Sequence, residues 1–260
     1  MRRPTLVTLG AIAFAASFLS GAAMMHFRLP QLLLSSVSGS VYSWETQPLY
    51  RHRADLFERL AASSEVTMIG DSITALGEWS EILPRLRVAN RGISGDTTQG
   101  VQKRLGPILA TDADVYAIML GVNDFRLLGA SASDVFSRYE TIVDALPRSS
   151  AVVVFSTLLV SEDGSEETNE QVRQLNSQLS NKCKTEKCAF VDLNASLAPN
   201  GSLDEQFSLD GLHLNGSGYL LWADIFQLKL RDVSPQLAGD AIDGERGSDL
   251  AIGAEQLGVR

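Results

Sequence analysis

A chain of 260 residues with 45% hydrophobic and 20% charged side chains is long enough for one α/β domain with flanking segments and short for two, and that composition excludes wholesale disorder. A formal net charge of -9 excludes nucleic acid as a partner, because gripping a phosphate backbone needs a basic face. Two cysteines, Cys183 and Cys188, and three histidines, His26, His52 and His213, exclude a disulfide framework and a zinc cluster and leave few candidates for any histidine-based mechanism.

From the N-terminus, Arg2 and Arg3 precede an uncharged apolar run from Thr5 to Met25. As a helix this run is ~31 Å long, enough to cross a bilayer core, and it exceeds the usual secretory h-region of ~7–15 residues. It reads as a retained signal-anchor, while the small residues Ser20, Gly21, Ala22 and Ala23 leave a cleaved signal peptide open. The expected organisation is a membrane-directed segment at 1–26, a linker at 27–45 and a folded domain at 46–231. The remainder, 232–260, is rich in Gly, Asp and Ala and reads as a poorly ordered tail.

Within the domain, strand-like apolar runs fall at 66–69, 87–89, 115–120, 151–155 and 189–191. Helical stretches alternate with them, at 73–83, 97–110, 132–146, 167–182 and 216–230. This alternation predicts a parallel sheet with helices on both faces, and such sheets bind ligands at the carboxyl ends of their strands. Asp96 followed by Gln99 reads as the N-cap pair of the second helix.

The segments after the strands carry the chemistry. They are Gly70-Asp71-Ser72, then Asn90 to Thr98, then Gly121-Val122-Asn123-Asp124, and last Asp210-Gly211-Leu212-His213. A serine hydroxyl needs a base before it becomes a nucleophile, and His213 can supply one near neutral pH. A carboxylate must fix the imidazole tautomer, and Asp210 can reach back to the ring on a single turn of chain. The tetrahedral intermediate needs donors aimed at its oxyanion, which the N–H of Ser72, the N–H of Gly95 and the side-chain amide of Asn123 can offer. Taken singly, each piece has a plainer reading: a serine cap, a turn glycine, a turn asparagine, a solvated histidine. Their joint occurrence in this order, each after a predicted strand, favours the chemical reading.

Together these residues resemble the SGNH (GDSL-like) hydrolase superfamily, named for a Ser, a Gly, an Asn and a His in four separated blocks; the matching positions are Ser72, Gly95, Asn123 and His213, over about residues 50–230. The stretches Asn90 to Thr98 and Asp210 to Asn215 look most like the bacterial branch similar to platelet-activating-factor acetylhydrolase, which includes carbohydrate O-acetylesterases. The resemblance implies a three-layer α/β/α sandwich with a parallel, flavodoxin-like sheet, serine ester hydrolysis with Asp210 completing the triad, and no metal or organic cofactor. Ile73 stands where the usual signature has Leu, a conservative change. For the oxyanion glycine Gly95 is preferred to Gly92, because it precedes the expected N-cap Asp96 and so lies at a positive helix end. Asp71 is expected to shape the nucleophile turn, Asp124 to hold the loop bearing Asn123, and His52 to lie on the surface.

The implied partner is a small-molecule ester, acetyl for preference, on a sugar or lipid alcohol, with membrane contact through the N-terminal helix only. A lysophospholipase or thioesterase of the same fold, or a non-catalytic carbohydrate- or lipid-binding module, are the rival readings. A nucleotide-binding α/β protein lacks support, since neither Gly-x-Gly-x-x-Gly after the first strand nor a Gly-Lys-Ser/Thr is present. The positive-inside rule puts the domain on the extracytoplasmic side. In that oxidising compartment a disulfide between Cys183 and Cys188 can persist, since a turn through Lys184-Thr185-Glu186-Lys187 can bring their Cα atoms within the ~4.4–6.8 Å required.

Overall fold

The computed structural model of the chain describes residues 46–60, 63–185 and 188–237. The expected membrane-directed segment, the linker before Thr46 and residues 238–260 lie outside the described residues. Among the described residues no helix is long and apolar enough to cross a membrane.

Five strands form one parallel sheet: β1 (Val66–Gly70), β2 (Val88–Gly92), β3 (Val115–Met119), β4 (Ala151–Phe155) and β5 (Ala189–Val191). The spatial order is β2-β1-β3-β4-β5, with Val66 level with both Val88 and Val115. This is the doubly wound order of flavodoxin-like folds. Every residue of β1 and β3 is buried, as expected where helices cover both faces.

Alternation along each strand sorts the side chains into two cores. Val66 and Met68, Val115 and Ala117, and Val153 and Phe155 face one side. There they meet α2 (Ser72–Ala75), α3 (Trp79–Ile82) and α10 (Gly216–Val233). Trp222 of α10 stands edge-on to Trp79 and Phe155, with ring centroids 4.7 and 5.3 Å apart. Ile69, Tyr116, Ile118, Val152 and Val154 face the other side. That side is covered by α4 (Thr98–Lys103), α5 (Leu105–Leu109), α7 (Ala132–Ala145) and α8 (Glu166–Thr185). The α/β/α sandwich implied by the resemblance is the architecture observed.

The helix boundaries differ from expectation for local reasons. The stretch 73–83 divides into α2 and α3, because the Asn90 amide donates to the carbonyls of Thr74, Ala75 and Gly77 and so closes α2. The stretch 97–110 divides at Arg104, since Pro107 has no N–H to donate and its ring crowds the carbonyl of Lys103. The N-cap of α4 is Thr97, whose side chain accepts from Gly100 N–H, and not Asp96, whose carboxylate is used elsewhere. Three helices lie outside the expected stretches: α1 (Pro48–Arg59), α6 (Val122–Leu128) and α9 (Asn194–Leu197). The fold also continues past residue 231, with α10 running to Val233 and Leu237 buried in the core. Cys183, in the last turn of α8, is bonded to Cys188 just before β5, with Cα atoms 4.8 Å apart.

Candidate active site

Ser72 opens α2 at the carboxyl end of β1. Asp71 turns the chain between them: as N-cap, its Oδ1 accepts from Ile73 N–H at 3.0 Å. The residue next to Ser72 is anchored by Tyr219, whose hydroxyl donates to Ile73 O at 2.7 Å. These restraints leave the Ser72 side chain half-buried and facing the loop before α10.

That loop is built to present His213. Ser208 and Leu214 form an isolated antiparallel bridge that closes it. Ser208 Oγ donates to His213 O at 2.7 Å and accepts from Gly211 N–H at 2.9 Å. The Asn215 side chain caps α10 by accepting from Gly218 N–H. The Asp210 carboxylate accepts from the backbone N–H of Leu212 and of His213 through Oδ1, and from His213 Nδ1 through Oδ2 at 2.7 Å. An ionised carboxylate only accepts, so Nδ1 carries the ring proton and Nε2 is free to accept. Nε2 lies 3.0 Å from Ser72 Oγ. Ser72, His213 and Asp210 therefore form one continuous chain of hydrogen bonds. Partial burial raises the Asp210 carboxyl, but the hydrogen bonds from the His213 ring and the two backbone N–H groups outweigh it and hold the group well below the usual carboxylate range. The anion that fixes the ring thus persists through the mildly acidic range.

The expected oxyanion donors come from the strands either side of β1. Gly95 follows β2, with φ of +79°, a left-handed conformation that suits glycine. Asn123 is the second residue of α6, after β3, and is buried. Its Nδ2 donates one hydrogen to Asp96 O at 3.0 Å, which leaves the second for a ligand. Gly92 is engaged otherwise: its N–H donates to Asn90 Oδ1, and a side chain there would come within 2.4 Å of Ala75 N. Its role is close packing of β2 against α2.

Asp124 is fully buried and accepts from Thr98 N–H at 2.9 Å, Thr98 Oγ1 at 2.5 Å and Arg138 Nη1 at 3.2 Å, so it joins α6 to α4 and α7. Burial pushes its carboxyl upward, and the same is true of Asp96 and of Asp71, the last reaching about 7. His52 is exposed on α1. Sequence reasoning missed Arg104, Tyr50 and Ser208, because a cation between two helices, a helix-borne tyrosine and a loop serine carry no local mark of a buried network. Among the described residues no three of His, Cys, Asp and Glu are grouped as metal ligands would be.

Residues 68–221 match the GDSL-like Lipase/Acylhydrolase family. Among solved structures, a protein from Streptococcus pneumonia carried under the name platelet activating factor has a TM-score of 0.63 at 22% identity, over 80% of this chain and 99% of that one. A GDSL-like lipase from Bacteroides thetaiotaomicron has a TM-score of 0.63 at 20% identity, over 70% and 97%. A catalytic mutant of an acetylxylan esterase from Geobacillus stearothermophilus has a TM-score of 0.53 at 17% identity, over 67% and 96%. These likenesses concern the fold. An N-acylneuraminate cytidylyltransferase of Streptococcus agalactiae is 23% identical over 144 residues, which are 55% of this chain and only 35% of that protein.

Proposed function

The chain belongs to the GDSL-like lipase/acylhydrolase family, whose members hydrolyse esters, and on that premise we propose that it is a serine esterase working through an acyl-enzyme. The observation that carries this reading is the unbroken hydrogen-bonded chain from Ser72 Oγ through His213 to Asp210. Ser72 Oγ attacks the ester carbonyl carbon while its proton passes to His213 Nε2. The N–H groups of Ser72 and Gly95 and the amide of Asn123 bind the resulting oxyanion. The intermediate collapses as His213 protonates the departing alcohol oxygen. Water, deprotonated by the same His213, then attacks the acyl-serine; the acyl–Oγ bond breaks, His213 returns the proton to Ser72 Oγ, and the carboxylic acid leaves.

The substrate we propose is a small acyl ester, acetyl for preference, on a sugar or lipid alcohol. The acetylxylan esterase among the structural neighbours supports this choice. A lysophospholipase or thioesterase is the alternative. A panel of p-nitrophenyl esters and acetylated sugars, run beside Ser72→Ala, tests both. We expect acetate to be preferred to decanoate, and Ser72→Ala to lose ~10⁴-fold or more in kcat, because triad members act as a unit. A fluorophosphonate should label the wild type at Ser72 and leave the variant unlabelled. Preference for long chains overturns the substrate class, and undiminished activity of Ser72→Ala overturns the mechanism. We place the domain outside the cytoplasm, tethered by residues 5–25, on the charge of Arg2 and Arg3.

A further inference from the structure

Arg104 lies where α4 gives way to α5 and takes no part in the proposed chemistry, yet its guanidinium touches both halves of the site. Nε donates to Asp96 Oδ2 at 2.7 Å, and Nη2 donates to Gly70 O at 3.3 Å. Gly70 ends β1, and Asp71 leads directly from it to Ser72. Asp96 follows Gly95, and its carbonyl accepts from Asn123 Nδ2 at 3.0 Å. One guanidinium thereby joins the strand end that carries the nucleophile to the loop that carries one oxyanion donor and, through the Asp96 carbonyl, to the other. Both side chains are buried, 7% and 1% exposed. The low local dielectric strengthens such a pair, and the planar fork fixes its direction.

The same carboxylate is held from outside the family-matched residues 68–221. Tyr50 of α1 donates its hydroxyl to Asp96 Oδ1 at 3.2 Å, while Thr97 N–H donates to that oxygen at 2.9 Å. Arg53 Nε donates to Gly92 O at 2.6 Å. Phe57 packs with Ile93, and the guanidinium carbons of Arg53, Arg91 and Arg104 lie 5.2, 4.8 and 6.0 Å from the centre of its ring. α1 is thus a brace against the outer side of the Ile93–Asp96 loop.

We propose that Arg104 is a positioning residue: paired with Asp96, it holds the Gly95 and Asn123 donors in register with Ser72, and Tyr50 of α1 is a second restraint on the same carboxylate. The inference rests on the serine-esterase reading of the site. Oxyanion donors must stand within ~2.7–3.1 Å of an oxygen that exists only in the transition state. A displacement of ~1 Å in such a constellation can cost ~10²-fold. Substrate binding makes little use of those donors, so the loss belongs in kcat and not in KM. Lysine at position 104 keeps a positive charge beside Asp96 but cannot fork to Gly70 O at the same time.

The test measures Arg104→Lys and Tyr50→Phe, each alone and in an Asn123→Ala background, on p-nitrophenyl acetate, with thermal melting alongside and Ser72→Ala as the control. Arg104→Lys should lower kcat roughly 10- to 100-fold with KM within about threefold. Tyr50→Phe should lower kcat about threefold to tenfold. Both losses should be smaller by at least about threefold once Asn123 is alanine, because part of each acts through that donor. Losses that multiply in full in the double variants, or a lower melting temperature with kcat intact, make Arg104 a structural ion pair and overturn the proposal. Tyr50→Phe removes one hydroxyl and keeps the ring, so it answers the question even if Arg104→Lys does not fold. Activity retained by Ser72→Ala overturns the esterase reading itself, an outcome separate from the coupling measurement.

Discussion

Asp71 sits between the first strand and Ser72, and burial pushes its carboxyl up to about 7; the hydrogen bond from Ile73 N–H opposes the rise, and the nearby charges of Asp96 and Asp124 add to it. In the unfolded chain such a group titrates near ~3.9. The folded state therefore holds the proton more tightly, and stability falls as pH rises from about 4 to about 7, then levels off. Asp71→Asn can still accept from Ile73 N–H but does not ionise. Its melting temperature should decline less between about pH 5 and pH 8. At pH 8 it should be the more stable protein, by at most a few kcal/mol at about 1.4 kcal/mol per pH unit. A variant that melts lower at every pH contradicts this account. Asn123 makes a different kind of contribution. With one N–H committed to Asp96 O, its second is free for the oxyanion. Asn123→Ala should lower kcat by ~10²–10³ with KM less affected. A loss carried wholly in KM would assign the residue to substrate binding instead.

Between elements, Asp124 is the joint to test. It is wholly buried and satisfies two donors of Thr98 and one of Arg138, on two different helices. Asp124→Ala leaves a partly buried guanidinium without its counter-charge and a buried helix start without its acceptor, at a cost of about 2–3 kcal/mol. Urea unfolding should show a lower midpoint with an unchanged slope; a loss under about 1 kcal/mol means that the three helices pack independently of it. How legible these joints are depends on range. Pro107 marks the break between α4 and α5 in the sequence itself, because a proline acts on its own turn. The break after Ala75 is not marked locally. It is made by Asn90, which lies on the neighbouring strand and takes three carbonyls of the α2 end. Asp96 is the instructive error. Its spacing to Gln99 is that of a cap, but Arg104 and Tyr50 claim the carboxylate, and Thr97 caps the helix one residue later.

For the whole molecule, the Cys183–Cys188 bond joins the end of α8 to β5, an edge strand separated from β1 by β3 and β4. A short loop constrains the unfolded chain little, so the bond should contribute ~2 kcal/mol or less. Its removal should leave kcat unchanged. If the domain resides outside the cytoplasm as proposed, protein recovered from that compartment should take up alkylating reagent at neither cysteine until it is reduced. Two alkylations without reductant would speak against both the bond and the location.

The sequence by itself determined the parallel α/β class, the five strands and the four blocks that bear Ser72, Gly95, Asn123 and the Asp210–His213 pair. Each of these is written in local periodicity or in residues adjacent to a strand end, and the winding rules of a parallel sheet bring strand ends to one edge. Only the tertiary structure decided that His213 Nε2 meets Ser72 Oγ, that Gly92 is a packing glycine, and that α1 braces the oxyanion loop through Tyr50 and Arg53. Those outcomes depend on contacts between residues far apart in the chain. Burial changes the chemistry of charged groups there, and no spacing rule along the chain records which distant partner a buried carboxylate or guanidinium will find.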